Sequence, residues 1–326
     1  MGSGAGKIVN PISVFPGQGS QYVGMAKVVV DAFPYTREIY EEASDSLSDD
    51  LYKLCNESSV DTLQLTQNAQ PAILTTSYAW FQVLRRELGF SPAAGGGHSL
   101  GEYSALVSSG ALRLSEGVTL VRKRGQLMQT AVPAGKGKMA AVLGLSDEKV
   151  VALCAKASLG ADSQVVAANF NAPDQVVIAG HIEAVERAET LAATEPEFKA
   201  RKVIPLKVSA PFHSPLMNSV AVDFYPFLQS AQWRKPTFPV VSNVDAKVRP
   251  DAMWSDLLKA QIDHPVRWTQ CTQALAEGRT PLFVEMGPGK VLCGLIKRII
   301  ADAKLFSIDS LDDLRKYEKF LKEEAP

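Results

Sequence analysis

The feature that most constrains this chain is a serine between two glycines, in the Gly-His-Ser-Leu-Gly segment at 97–101. Small residues precede the segment, and apolar side chains at helical spacing follow it over 102–107. This pattern predicts a strand, a sharp turn and a helix, because glycine allows a bend that a side chain would block. Such a turn exposes the Ser99 hydroxyl at a helix N-terminus, where the partial positive charge favours a developing oxyanion. A plain turn with an N-cap serine is the alternative.

Alternating strand-like and helix-like segments on both sides of this turn predict an α/β fold. The predicted strands lie at 12–15, 139–143, 165–168, 175–179, 203–206, 240–243 and 281–286. The predicted helices lie at about 21–30, 34–47, 67–88, 115–131 (with Ser115 as its cap), 146–158, 182–193, 252–262, 290–301 and 310–323.

The order of elements changes in the middle of the chain. From 139 to 206 it reads β-α-β-β-α-β, which is typical of a ferredoxin-like unit. We therefore expect a small subdomain at 135–205, inserted into a larger domain formed by 8–134 and 206–326. The segment 169–174 is predicted to be a loop, and its Asn169 and Asn171 either line a cleft or form a turn.

Composition excludes several classes of function. The 326 residues are 46% hydrophobic and 21% charged, as in a globular protein with a large core, and a net charge of −1 does not favour nucleic-acid binding. The four scattered cysteines indicate reduced thiols of a cytoplasmic protein, without a metal site. Apolar runs are too short for a membrane span. Residues 1–7 lack the apolar stretch of a signal peptide, and their glycines are one residue short of the spacing of a phosphate-binding loop. We interpret them as a disordered leader or as the remnant of an added tag.

A serine nucleophile needs a base, and the chain has four histidines. His98 adjoins the serine in sequence, but neighbours at a tight turn project in different directions, and His181 opens a surface-like helix. His213 lies on a loop bracketed by prolines, so it is the predicted base. His264, also followed by proline, is the alternative.

The sequence offers several candidates for the group that orients the histidine and for the oxyanion hole. Asp245, Asp263 or a backbone carbonyl could orient the histidine ring by accepting its second N–H. An oxyanion hole could combine the N–H of Leu100 with one from the glycine-rich loop around Gln18.

Five segments of the chain together resemble the malonyl-CoA:acyl-carrier-protein transacylases. They occur in the order of that family and extend over roughly residues 12–300. The segments are PGQGSQ at 16–21, GHSLGEYSAL at 97–106, RGQLMQ at 124–129, FHSPLM at 212–217 and EMGPGKVL at 285–292.

The resemblance implies an α/β-hydrolase-like large domain with a parallel sheet and an inserted ferredoxin-like subdomain. It implies ping-pong transfer of malonyl from malonyl-CoA to the phosphopantetheine thiol of acyl carrier protein in fatty-acid biosynthesis. The roles it implies are nucleophile for Ser99, base for His213, oxyanion donors for Gln18 and Leu100, carboxylate binding for Arg124, and orientation of His213 by the backbone of Gln261.

The physical chemistry of arginine agrees with the role that the resemblance implies for Arg124. A guanidinium binds a carboxylate through two parallel hydrogen bonds, and a buried one left unpaired by a neutral acyl group would be costly. Arg122 and Lys123 are interpreted as solvated. The bulky Phe212 favours malonyl over 2-methylmalonyl units, as in related polyketide transferase domains.

The expected partners are CoA and acyl carrier protein, with no bound cofactor, nucleic acid or membrane, and the chain is expected to be a monomer. The basic residues Lys199, Arg201 and Lys202, near the subdomain, are candidates for binding the acidic carrier protein. A discrete polyketide-synthase acyltransferase, a hydrolase of acyl carrier protein esters and a non-catalytic docking module are the alternatives.

Overall fold

The computed structural model describes residues 11–132, 135–206, 208, 210–251, 253–279 and 281–324. The predicted leader at 1–7 lies outside them. Among the helices of the described residues, none is both long and apolar enough to cross a bilayer.

A six-stranded sheet forms the centre of the large domain, in the order β10-β9-β1-β2-β7-β8. Its strands pair in parallel except for β7 with β8, so the predicted α/β class with a parallel sheet is confirmed. The strands are β1 Ile12–Phe15, β2 Ala94–Gly97, β7 Val240–Val241, β8 Val248–Arg249, β9 Leu282–Met286 and β10 Lys304–Ile308.

Helices cover this sheet on both faces. Among them, α5 is buried along almost its whole length. It contacts α6, which follows Ser99, and α7, which carries Arg124. The helices of the large domain are α1 Met25–Ala32, α2 Arg37–Leu47, α3 Leu51–Glu57, α4 Val60–Gln64, α5 Thr66–Leu88, α6 Leu100–Ser108, α7 Leu114–Thr130, α10 Asn218–Ser230, α11 Trp254–Asp263, α12 Trp268–Ala276, α13 Val291–Ile299 and α14 Leu311–Glu324.

A second sheet, antiparallel and four-stranded, has the order β4-β5-β3-β6. With two helices on one face it encloses a hydrophobic cluster of its own, and the predicted β-α-β-β-α-β order is confirmed. Its elements are β3 Gly137–Leu143, α8 Asp147–Ala157, β4 Val165–Ala172, β5 Gln175–His181, α9 Ile182–Thr194 and β6 Lys202–Pro205.

The predicted loop at 169–174 is wrong. Strand β4 continues to Ala172, so Asn169 and Asn171 are strand residues and only a two-residue turn precedes β5. Residues 169–172 pair with β5 across the hairpin turn, and a second contact adds to this pairing: Phe170 N–H donates to the carbonyl of Val266, and Val266 N–H donates to that of Ala168. The prediction ended the strand too early because the asparagines, the proline and the aspartate of 169–174 are residues typical of turns.

Two further predictions need correction. Helix α7 begins at Leu114, and its N-cap is Arg113, whose backbone N–H donates to the Glu116 carboxylate, so Ser115 is not the cap. Strand β10 is absent from the prediction, because this sheet-edge strand is only partly buried and shows no clear alternation of apolar and polar residues.

The turn at 97–101 is tight because its glycines lie against backbone. His98 N–H donates to the carbonyl of Phe15 at the end of β1, at 3.1 Å. A Cβ on Gly97 would overlap the backbone of Gly101, and one on Gly101 would overlap the carbonyl of Phe15. Helix α6 can therefore start directly above the strand ends only with glycine at both positions.

We expect Gly101→Ala to lower the free energy of unfolding by about 1–3 kcal/mol or more, because backbone has no room to relax around the new methyl group. Urea titration followed by circular dichroism measures this. Gly294→Ala is the matched control: this exposed α13 glycine has no atom within 4 Å of an added Cβ. It should leave stability unchanged or raise it by up to about 1 kcal/mol. Equal losses in the two variants would contradict the packing argument.

Candidate active site

Ser99 lies between β2 and α6 with an unusual backbone, at φ 51° and ψ −102°. Two side chains hold it there. The Oδ1 atom of Asn243 accepts the Ser99 N–H at 2.7 Å, and Nε2 of Gln261 donates to the Ser99 carbonyl at 2.9 Å. A serine adopts this conformation only where its surroundings fix it, and such strain concentrates at functional sites.

The imidazole of His213 stands between Ser99 and a backbone carbonyl. Its Nε2 is 2.8 Å from Ser99 Oγ, and its Nδ1 is 2.8 Å from the carbonyl oxygen of Gln261. Because a carbonyl only accepts, Nδ1 carries the proton and the lone pair of Nε2 faces the hydroxyl. This is the arrangement in which Ser99 can pass its proton to a neutral imidazole.

The other candidate bases and acids lie elsewhere. His264, the alternative base, has an exposed side chain and contacts Asp263 at 2.6 Å. Asp245 pairs with Arg249 instead of a histidine. Among the described residues no carboxylate contacts His213, and of the three orienting groups that the sequence left open the backbone carbonyl occupies the position.

Arg124 brings a buried cation to the serine. It is 1% exposed on α7, its Nη2 donates to Ser99 Oγ at 3.0 Å and to Gln261 Oε1 at 2.9 Å, and its Nη1 donates to Gln70 Oε1 at 2.9 Å. All these partners are uncharged. The buried Nε–H has no acceptor among the residues that the structure describes, so the guanidinium retains capacity for an anion.

Burial and this cation set the charge state of the site. Burial, followed by the neighbouring Arg124, lowers the pKa of His213 to about 3, and the hydrogen bond to the Gln261 carbonyl offsets only part of that. Burial also lowers the pKa of Arg124. At neutral pH the imidazole is therefore uncharged, and a fixed positive charge faces the Ser99 oxygen.

Two backbone segments border the serine where an oxyanion hole would form. Leu100 is the first residue of α6, so its N–H has no partner within the helix. The loop with Gln18 follows β1, and a Cβ on Gly17 would lie 2.6 Å from the carbonyl oxygen of His98. The Gln18 side chain donates to Thr66 Oγ1 at 3.3 Å, which anchors the loop beside the turn.

Sequence reasoning missed three residues of the site. Glu102, Asn243 and Gln70 are polar and at most 1% exposed. Asn243 contacts Ser99 and Gln70 contacts Arg124, whereas Glu102 reaches both through Gln261. The available signal was a polar side chain within an apolar run, as for Glu102 in the helix after the turn. The Oδ1 atom of Asn171, a residue predicted either to line the cleft or to form a turn, accepts from Nε2 of His98 at 2.7 Å.

The predicted solvation of Arg122 is wrong, because its side chain is only 15% exposed and pairs with Asp49 at 2.8 Å. Lys123 lies over the ring of Phe227. In the described part of the chain, no three side chains of His, Cys, Asp or Glu converge as metal ligands.

Comparisons with known proteins point to one family. The family model described as acyl transferase domain matches residues 12–310. The chain is 44% identical over 290 residues to malonyl CoA-acyl carrier protein transacylase of Escherichia coli K12. This alignment covers 88% of this chain and 92% of that protein. A solved acyl-carrier-protein S-malonyltransferase of Burkholderia pseudomallei superposes with a TM-score of 0.90 at 44% identity, over 95% of this chain and 100% of that one. A malonyl-transacylase solved in complex with its type II PKS acyl-carrier protein superposes with a TM-score of 0.91 at 38% identity, over 95% and 99%.

The low pKa of His213 leads to a prediction. We expect its ring resonances, followed by NMR and assigned with a His213→Asn variant, to stay those of a neutral imidazole well below pH 6. Arg124→Met should raise this pKa toward the ordinary value near 6.5, because the cation that opposes protonation is gone. Lys123→Met removes a cation from the same helix but outside the site, and should change nothing. An equal response to both substitutions would contradict the assignment.

Proposed function

Because the chain belongs to the malonyl CoA-acyl carrier protein transacylase family, we propose that it transfers malonyl from malonyl-CoA to the phosphopantetheine thiol of acyl carrier protein. The pathway we assign is fatty-acid biosynthesis. The observation that carries the proposal is the convergence of Ser99, a neutral His213 and the incompletely paired Arg124 in one buried site.

In the first half-reaction, Ser99 Oγ attacks the thioester carbon of malonyl-CoA while its proton moves to His213 Nε2. The resulting oxyanion accepts hydrogen bonds from the N–H groups of Leu100 and Gln18, as the position of both segments beside the serine supports. The carbon–sulfur bond then breaks, the proton on Nε2 passes to the departing sulfur, and CoA leaves as a free thiol. A malonyl ester remains on Ser99.

The second half-reaction runs through the same groups in reverse. The phosphopantetheine thiol gives its proton to His213 Nε2 and its sulfur attacks the ester carbon. The bond to Ser99 Oγ breaks, and the proton returns from Nε2 to the serine. Gln261 holds the ring through its carbonyl in both halves, so one tautomer serves both proton transfers.

Arg124 selects the acyl group. Its guanidinium is buried among neutral partners and has an N–H without an acceptor, so a malonyl carboxylate completes its hydrogen bonding, whereas an acetyl group leaves it unpaired. Pairing also weakens the positive field on His213 and raises the pKa of that base. The preferred substrate thus strengthens the base that activates Ser99.

The same arginine argues against the hydrolase alternative, because a neutral ester would leave it without an anion. The polyketide alternative has one observation in its favour, the similarity to a transacylase solved with a type II PKS carrier protein. Transfer rates to fatty-acid and polyketide carrier proteins would decide between the two pathways.

Several wider features belong to the proposal. Residues 135–205 act as a subdomain inserted between 8–134 and 206–326, as their separate sheet and core support. The chain acts as a monomer, since a single copy supplies every group named above. It works in the cytoplasm without a bound cofactor, a location supported by four cysteines that remain free thiols.

We expect incubation with malonyl-CoA to add the mass of one malonyl group to Ser99, as read by intact-protein and peptide mass spectrometry. The ester should disappear when the holo form of acyl carrier protein is added, because its thiol is the acceptor. Ser99→Ala should show no adduct while remaining folded by circular dichroism. An unmodified wild-type Ser99 would rule the proposed reaction out.

A second prediction concerns selectivity. Arg124→Met should lower kcat/KM for malonyl-CoA by about tenfold to a hundredfold, the loss expected for charge-assisted hydrogen bonds, and change acetyl-CoA far less. Arg122→Met is the matched control, since Arg122 pairs with Asp49 away from the serine and its loss should leave the ratio of the two substrates unchanged. Equal losses for malonyl-CoA and acetyl-CoA in Arg124→Met would contradict the assigned role.

A further inference from the structure

One buried carboxylate beneath Ser99 takes no part in the steps above. Glu102 lies on the first turn of α6 and is 0% exposed. Its Oε2 accepts from Gln261 Nε2 at 2.7 Å and from the backbone N–H of Asn243 at 3.2 Å, while its Oε1 has no partner among the described residues. A carboxylate so deeply buried is costly unless its contacts serve the fold or the site.

The contact to Gln261 matters because that residue touches all three functional groups. Its carbonyl holds His213, its Nε2 donates to the Ser99 carbonyl, and its Oε1 accepts from Nη2 of Arg124. The NH₂ group of the Gln261 side chain therefore faces acceptors, and its oxygen faces a donor.

Glu102, together with the Ser99 carbonyl and Arg124, determines which way this amide points. With Nε2 toward Glu102 and Ser99, each amide atom meets a complementary group. In the reversed orientation, Oε1 would face two acceptors and Nε2 would face the donors of Arg124. Burial raises the pKa of Glu102 to about 7, but Oε2 remains an acceptor in either state, because a proton would occupy the unpartnered Oε1.

The amide also sets the spacing between the Glu102 carboxyl group and the Arg124 guanidinium. Glu102 and Arg124 interact through Gln261 and are not in direct contact, so the carboxylate supports the guanidinium without filling its anion-binding face. A carboxylate in direct contact would occupy the face that a substrate carboxylate needs.

We propose that Glu102 is a positioning residue that orients the Gln261 amide and thereby holds Arg124 for the free carboxylate of the acyl donor. This inference rests on the proposed function, since it concerns selection of malonyl over neutral acyl groups. It assigns a role to the Gln261 side chain in addition to that of its carbonyl.

The test compares Glu102→Met, which keeps the length but removes the acceptor, with Glu102→Gln, which keeps the acceptor. Rates of Ser99 acylation by malonyl-CoA and by acetyl-CoA are measured for each by quenched-flow mass spectrometry. We expect Glu102→Met to lower the malonyl-to-acetyl ratio by about tenfold or more, the effect of losing one hydrogen bond to a charged group. Glu102→Gln should retain the ratio within about threefold, since its Oε1 replaces the lost acceptor.

The outcomes separate this inference from the proposed function. A wild-type chain that prefers malonyl-CoA, with a folded Glu102→Met whose ratio is unchanged, would overturn the inference alone. Equal loss of the ratio in Glu102→Gln would also overturn it, because the acceptor is present there. A wild-type chain without malonylation of Ser99 would remove the proposed function and this inference with it.

A variant that keeps the backbone carbonyl covers the case in which Glu102→Met does not fold. Gln261→Met removes the amide bridge together with the hydrogen bond to the Ser99 carbonyl, and it leaves the backbone carbonyl that holds His213. The ratio of the two substrates is therefore the readout, because a change at the Ser99 backbone affects both donors. Loss of the malonyl-to-acetyl ratio in this variant supports the inference, and an unchanged ratio in the folded protein overturns it.

Discussion

The pair of hydrogen bonds that fixes the Ser99 backbone is the constraint on which the site depends. Asn243 accepts the serine N–H and Gln261 donates to its carbonyl, and together they hold a conformation that serine rarely adopts. With the backbone fixed, α6 starts at Leu100, and the Ser99 hydroxyl lies 2.8 Å from Nε2 of His213. His213 also has a positive φ, of 59°, so both partners of the proton transfer are strained and held by their surroundings.

The electrostatics differ from those of a triad with a carboxylate. A carboxylate next to the imidazole would stabilise its protonated form, whereas here a neutral carbonyl orients the ring and a cation opposes protonation. In the proposed function, this arrangement suits an acyl donor that carries a carboxylate. Binding of that carboxylate to Arg124 weakens the positive field that lowers the pKa of His213. In the proposed function, selection of the acyl group and activation of Ser99 therefore draw on the same charge. Glu102 lies on the other side of the Gln261 amide from Arg124 and does not contact the guanidinium.

Much of the fold was accessible from the sequence, because its signals are local. The strand–turn–helix at 97–101 and the β-α-β-β-α-β order of the small sheet follow from glycine spacing and hydrophobic periodicity. The extension of β4 to Ala172 was missed because turn-type residues lie within the strand that pairs with β5. The edge strand β10 depends on its pairing with β9 and is only partly buried, so periodicity does not report it.

The site divides in the same way. The residues alone predicted Ser99 as the nucleophile and His213 as its base. The family resemblance added the roles of Arg124 and of the Gln261 backbone. Buried polar residues such as Asn243 and Glu102 gain their meaning only from tertiary contacts, so the sequence could not assign them.

The most direct test of the central claim is a crystal structure of the chain with malonyl trapped on Ser99. We expect a malonyl carboxylate within hydrogen-bonding distance of the Arg124 guanidinium and an ester oxygen facing the N–H of Leu100. A carboxylate directed into solvent, with Arg124 still bonded only to its neutral partners, would contradict it.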